Sequence, residues 1–125
     1  MAAGMQFVVS GNSIAARDLV LGVFQQQQWR VTLKGDWEAT AEHGNKAASI
    51  WGGAFAGKEG RHVVLNITFS TDPQGNTVIN LFEVTGGFSG GIVGVTQARE
   101  VYQAIYDNVG MALSTAGIYV ANFNI

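Results

Sequence analysis

Residues 29–42 alternate without a break between apolar or small side chains and polar ones. The first set comprises Trp29, Val31, Leu33, Gly35, Trp37, Ala39 and Ala41, and the second comprises Arg30, Thr32, Lys34, Asp36, Glu38, Thr40 and Glu42. Successive side chains of a strand point to opposite faces, so this pattern predicts an antiparallel sheet with one buried and one solvated face. A two-residue turn at Gly35 and Asp36 would place Leu33 and Glu38 on the same face. The unbroken alternation therefore favours one bent or bulged strand.

Four further stretches have the composition of strands. Residues 5–10 are apolar and β-branched toward their end. Residues 61–70 and 77–85 flank a loop that contains Pro73, the only proline, and together they predict a hairpin. Residues 118–125 alternate aromatic or aliphatic side chains with two asparagines, which predicts a last strand or an apolar tail.

Two stretches have the spacing of helices. Residues 13–28 repeat apolar side chains at intervals of three and four, and the glutamine run 25–28 reads as the end of that helix without a functional role. Residues 95–115 carry the longer apolar stripe, and Gly117 is placed to cap its end. The second helix is therefore expected to be the longest element.

The order of these elements predicts an α+β fold. An antiparallel β-sheet is expected to pack against a long C-terminal helix and a shorter N-terminal helix. A length of 125 residues, of which 47% are hydrophobic, predicts a single domain that spans residues 1–125. The order of elements resembles the helix-grip and TATA-binding-protein-like architectures, and this resemblance implies at most a groove or cavity between helix and sheet.

The chain is weakly charged, with a formal net charge of -2. Its seven Lys and Arg residues are scattered, which predicts no nucleic-acid partner. The absence of cysteine excludes disulfides and thiolate metal sites and argues for a reducing compartment. No charged region precedes the short N-terminal apolar run, so a cytoplasmic protein is expected, although a chain trimmed from a longer one would look the same. Residues 84–97 are uncharged but shorter than the roughly 20 residues that span a bilayer, so no transmembrane segment is expected.

Residues 86–94, Gly-Gly-Phe-Ser-Gly-Gly-Ile-Val-Gly, join a strand pattern to the long helix. A strand, a glycine-rich turn and a helix form the layout that binds phosphate through free backbone N–H groups. The glycine spacing does not fit the dinucleotide fingerprint, and Ile92 follows Gly91 where a P-loop requires lysine. We therefore interpret the stretch as a rigid turn with close backbone packing, from which Phe88 projects toward a cleft or interface.

No residue pattern identifies a reaction. His43 and His62 lie in different segments without the spacing of a metal site. The serines have no nucleophile motif around them. Glu38 with Glu42, or Glu83 with Glu100, forms a carboxylate pair only if the fold brings the two side chains together. We therefore predict no metal and no cofactor, and we favour a non-enzymatic function while leaving catalysis open.

Two glycine-rich stretches with aromatic residues, 51–57 and 86–94, form the candidate site. Its residues are Trp51, Phe55, Gly86, Gly87, Phe88, Ser89, Gly90 and Gly91. We expect the two stretches to meet and to form a low-charge, apolar surface of the kind found in ligand grooves, partner interfaces and membrane contacts.

Such a surface predicts a non-enzymatic module that binds an apolar small molecule or a protein partner in a groove between helix and sheet, as a homo-oligomer. The first alternative is a small cofactor-free enzyme of the hydrolase or isomerase type that uses the same cleft. The second is an extramembrane domain of an envelope or lipid-associated protein, which would make peripheral contact with a membrane. Two or more buried titratable side chains that face one cavity would favour the enzyme, whereas a dry cavity or a flat apolar patch would favour binding.

Overall fold

The computed structural model of the chain describes residues 4–44, 62–84 and 91–125. In these residues the chain forms six strands and two helices. The strands are β1 (Gly4–Val9), β2 (Arg30–Gly35), β3 (Glu38–His43), β4 (Val63–Thr71), β5 (Thr77–Glu83) and β6 (Tyr119–Asn124), and the helices are α1 (Ser13–Gln26) and α2 (Gly91–Thr115). The predicted α+β class, with an antiparallel sheet and a long C-terminal helix, is confirmed.

The described strands form one sheet in the order β2-β3-β4-β5-β1-β6, and all neighbouring strands are antiparallel. The predicted hairpin around Pro73 is the β4–β5 pair, and in its turn Asp72 Oδ1 accepts the N–H groups of Gln74 at 3.0 Å and Asn76 at 2.9 Å. Residues 118–125 contribute a strand rather than a tail, since β6 pairs with β1. The N-terminal strand therefore lies between β5 and the C-terminal strand.

The prediction of one continuous bent or bulged strand through residues 29–42 is wrong as to continuity, because β2 and β3 form a hairpin. The pairing register shifts between Leu33 and Gly35, which makes Lys34 an extra residue in β2. A two-residue turn alone would pair odd-numbered positions with even-numbered ones, and the one-residue bulge restores the pairing of odd with odd. For this reason the alternation of apolar and polar residues continues through the turn, and the sequence pattern did not indicate the hairpin.

Helix α1 begins after a capping residue. Asn12 is the N-cap, and its Oδ1 accepts the N–H of Ala15 at 3.0 Å. The helix ends at Gln26, two residues before the predicted end. Gln28 then adopts a left-handed conformation with a φ of 67°, through which the chain turns into β2.

Helix α2 begins four residues earlier than predicted, at Gly91, and ends at Thr115 as predicted. Beyond that end Gly117 has a φ of +76°, a conformation that favours glycine, and its N–H donates to the carbonyl of Ser114 at 3.0 Å. This cap turns the chain from α2 toward β6.

The core lies between one face of the sheet and the two helices, which also contact each other. Alternation within the strands and the three-to-four spacing within the helices put the apolar side chains on these facing surfaces. The helices contribute Ala16, Val20, Val23, Phe24, Ala98, Val101, Tyr102, Ile105, Tyr106, Val109 and Leu113, and the strands contribute Phe7, Val9, Ala39, Ala41, Val63, Leu65, Ile67, Phe69, Ile79 and Leu81.

The opposite face of the sheet carries polar side chains that bond across the strands. Gln6 Nε2 on β1 donates to Asn80 Oδ1 on β5 at 2.9 Å, and Asn80 Nδ2 donates to Thr68 Oγ1 on β4 at 3.4 Å. The described part of the chain is therefore a two-layer fold with one polar sheet face.

Ile105→Ala is expected to lower the free energy of unfolding by about 2–5 kcal/mol, because it removes most of a side chain that packs in the core at 1% exposure. Urea denaturation measures the change. Gln103→Ala on the exposed side of the same helix is the control and should alter stability by less than about 0.5 kcal/mol. An equally small effect of Ile105→Ala would show that the buried face of α2 is assigned incorrectly.

Candidate functional site

The residues predicted from sequence to form the site fall almost entirely outside the described residues. This applies to Trp51, Phe55, Gly86, Gly87, Phe88, Ser89 and Gly90. Gly91 is the exception, and it is the first residue of α2. The roles assigned to these residues stay predictions.

Both predicted stretches are attached to the same end of the sheet. His43, at the end of β3, pairs with Val63, the first residue of β4. On the other side of β4, Glu83 ends β5, and the N–H of Val84 donates to the carbonyl of Val64 at 3.0 Å. Neighbouring strands lie about 4.8 Å apart, and β4 separates β3 from β5. The chain therefore leaves β3 at a point roughly 10 Å from the point at which it leaves β5. We call this end of the sheet the His43–Glu83 end.

A buried carboxylate lies at the His43–Glu83 end. Glu83 is only 6% exposed because it occupies the core-facing side of β5. Tyr106 Oη of α2 donates to Glu83 Oε2 at 2.6 Å, and Tyr102, one turn earlier, donates its Oη to the carbonyl of Val64 at 3.1 Å. The two tyrosine rings stack with their centroids 6.4 Å apart. Two phenols therefore attach α2 to the ends of β4 and β5.

The environment keeps both phenols protonated. Burial is the main cause that raises the pKa of Tyr102 to about 12, and the negative charge of Glu83 adds to it. Burial also raises the pKa of Tyr106, and so does its hydrogen bond to Glu83. Each phenol is thus a hydrogen-bond donor at neutral pH rather than a general base.

The sequence contained one signal for this cluster that the prediction did not use. In residues 77–83, Glu83 follows Ile79 and Leu81 on the apolar side of an alternating strand. A carboxylate in such a position requires a buried hydrogen-bond donor. The identity of that donor depends on how α2 packs on the sheet, and the sequence pattern does not specify it.

A groove opens between the end of α1, the β2–β3 hairpin and the middle of α2. It encloses about 390 Å³ and is lined by Gln26, Gln27, Gln28, Trp29, His43, Glu100, Val101, Ala104, Ile105 and Asn108. We call it the Trp29 groove, since the Trp29 ring contacts both Phe24, at a centroid distance of 5.1 Å, and His43, at 5.2 Å. His43 places this groove at the His43–Glu83 end, on the side of the sheet that the helices cover.

Two further cavities lie elsewhere. One, of about 470 Å³, runs between α2 and the β1–β6 strands and is lined by Met5, Phe7, Gln103, Tyr106, Asp107, Gly110, Met111, Ser114, Tyr119 and Asn122. We call it the α2–β6 groove. The other, of about 450 Å³, is lined by Ser13, Trp37, Phe69, Ser70, Thr71 and Thr77.

The two histidines do not converge. His62 Nε2 lies 2.9 Å from Glu42 Oε2, and Glu42 directly precedes His43 in β3. Successive strand residues face opposite sides of a sheet, so His62 and the ring of His43 lie on opposite faces. Within residues 4–44, 62–84 and 91–125, no three His, Asp or Glu side chains are grouped to hold a metal ion.

In each glutamate pair considered from sequence, the two side chains differ in position or in contacts. Glu38 and Glu42 are four residues apart along β3, which separates them by about 13 Å. Glu83 accepts the hydrogen bond of Tyr106, whereas Glu100 lines the Trp29 groove.

No protein-family model and no curated protein sequence matches the chain.

Neither of the described helices is long and apolar enough to cross a bilayer.

Tyr102→Phe is expected to reduce the loss of stability at alkaline pH. The pKa of Tyr102 is about 12 in the folded protein against an ordinary value of 10.0, so stability that depends on the neutral phenol is complete below pH 10 and is lost as the pH rises toward 12. The free energy of unfolding of the wild-type protein should fall more steeply across that interval than the free energy of the variant. Urea denaturation at a series of pH values measures both slopes, and equal slopes would contradict the prediction.

Proposed function

We propose that the protein is a non-enzymatic binding module whose Trp29 groove takes a small molecule with an apolar body. The observation that supports this most directly is the groove itself, which lies between helix and sheet at the His43–Glu83 end. A cavity with an apolar floor and a few polar groups at its rim is the usual form of a small-molecule site.

The floor of the groove suits an apolar or aromatic group. Trp29, Val101 and Ile105 lie at its base, and each is at most 7% exposed. The Trp29 ring is held by edge contact with Phe24, which orients it before any ligand arrives. A preoriented floor reduces the entropy that binding would otherwise cost.

The rim of the groove suits an uncharged hydrogen-bonding group. Three glutamines, residues 26–28, and Asn108 supply neutral amides that both donate and accept. Glu100 is the only acidic residue among the described lining residues, and it is exposed. The expected ligand therefore combines an apolar body with a neutral polar end.

The predicted glycine-rich stretches fit the same proposal. The described chain leaves β3 and β5 at the His43–Glu83 end, and we propose that Trp51, Phe55 and Phe88 complete the binding surface there. The element order supports a helix-grip-like arrangement in which a long helix and a sheet enclose the ligand space. We also propose that the module is a homo-oligomer, and the cytoplasmic location expected from sequence stays a prediction.

The enzymatic alternative requires convergent buried titratable groups. Each of the three cavities described above has at most one such side chain among its described lining residues, and that one is Tyr106 in the α2–β6 groove. Glu83 and Tyr102 are buried but line none of the three. Binding is therefore favoured over catalysis.

Ala104→Trp is expected to block the groove. Ala104 lies at the rim on the exposed side of α2, so the larger side chain can occupy the groove without disturbing the core. We expect the neutral apolar dye Nile red to bind the wild-type protein with enhanced fluorescence. The variant should raise the dissociation constant by more than about tenfold.

Ser70→Trp, which places the same side chain beside the cavity near Trp37, is the matched control and should leave dye binding unchanged. Absence of dye binding by the folded wild-type protein would contradict the proposal, as would equal affinities of the wild-type protein and Ala104→Trp. Native mass spectrometry of the purified protein would reveal a co-purified small molecule directly.

A further inference from the structure

Among the described residues, strand β6 has no partner strand along its outer side. In the described part of the chain it pairs with β1 alone and ends the sheet. Gly4 and Ile125 exchange two hydrogen bonds, of 2.9 Å and 3.1 Å. Because bonded and non-bonded pairs alternate in an antiparallel ladder, the N–H and C=O groups of Phe123 also point toward β1, whereas those of Asn122 and Asn124 point outward.

The two edges of the sheet differ in how they are protected. At the far edge, β2 carries Arg30 and Lys34, and Lys34 is the bulged residue. Charges and bulges are the devices that prevent an edge strand from pairing with another strand. Residues 118–125 contain no charged side chain and no proline, and the one bulge of β6 makes Val120, near its start, an extra residue, so that residues 121–124 pair regularly with β1. Within the part of the chain that the structure describes, the β6 edge is thus open to a further strand.

Exposed apolar side chains concentrate at this same edge. Four apolar side chains of one short segment are between 39% and 53% exposed, namely Tyr119, Val120, Phe123 and Ile125. Met111, exposed to 67%, lines the adjacent α2–β6 groove. A strand added at β6 would cover part of this apolar surface.

We propose that β6 pairs antiparallel with β6 of a second copy of this chain, about a two-fold axis at Asn122. This register sets Asn122 opposite its own equivalent, within the part of β6 that pairs regularly with β1. On the polar face of the sheet it sets Phe123 of one copy opposite Ala121 of the other, so that a large side chain packs over a small one.

A second copy suits this edge better than a charged partner. The strand is neutral, so it offers no ion pair that would select a partner of opposite charge, and two identical neutral strands meet without repulsion. A two-fold axis makes the contact isologous and closes it at a dimer. The inference does not depend on the Trp29 groove, which involves other elements.

Asn122→Pro and Asn122→Lys test the interface in sedimentation equilibrium. The N–H of Asn122 points away from β1, so proline removes a hydrogen bond between copies while leaving the pairing within the chain intact. Lysine places two like charges at the two-fold axis. We expect the wild-type protein to be a dimer at about 0.1 mM, and each variant to raise the dimer dissociation constant by more than about tenfold while retaining the wild-type circular dichroism spectrum.

Thr32→Lys on the exposed part of β2 is the matched control and should leave the dimer unchanged. A monomeric wild-type protein would overturn the proposal. So would a dimer that persists in Asn122→Lys, since association would then use another surface.

Cysteine cross-linking tests the register. The chain has no cysteine of its own, and paired strands bring directly opposed Cα atoms to about 5.5 Å, within disulfide range. Asn122→Cys should form a covalent dimer under oxidation that a reducing agent reverses, and Thr32→Cys should stay monomeric on a denaturing gel. Equal cross-linking of both variants, or none of Asn122→Cys, would reject pairing at β6.

Discussion

Strand β1 is held between β5 and β6, and this position determines how the rest of the chain is arranged. Residues 4–9 pair on one side with residues 77–82 and on the other with residues 119–124. These paired segments are far apart in the sequence, so bringing them together costs loop-closure entropy before their contacts contribute stability. Burial of Phe7 and Val9 beneath the helices offsets that cost. The sheet and α2 therefore stabilise each other, because each would expose an apolar face without the other.

The Glu83–Tyr106 hydrogen bond links this core to the proposed site. Glu83 is the last residue of β5, and Tyr106 lies in the middle of α2, so the bond fixes the helix relative to the His43–Glu83 end. The same helix forms one wall of the Trp29 groove through Val101, Ala104 and Ile105. A buried carboxylate without its donor would be costly, which makes a displaced position of α2 unfavourable. The shape of the groove thus depends on a polar contact outside it.

Local patterns predicted the elements better than they predicted how those elements combine. Alternation and three-to-four spacing depend only on which face a residue occupies, and they located most strands and both described helices. The β2–β3 hairpin was missed because the bulge at Lys34 preserves the alternation through the turn. The position of β1 in the sheet depends on long-range pairing, for which the sequence has no local signal. The Trp29 groove was missed for a related reason, since glutamines 26–28 were interpreted only as the end of a helix.

The hydrogen bond from the Tyr106 phenol to Glu83 should depend little on ionic strength. Surface ion pairs such as Arg17 with Asp18 and Arg30 with Glu42 weaken as salt is added, because mobile ions screen exposed charges. The contact between Tyr106 and Glu83 is buried and involves one neutral partner, so screening acts on it only slightly. Helix α2 should accordingly keep its position on the sheet in dilute and concentrated salt alike, while the charged contacts at the surface loosen.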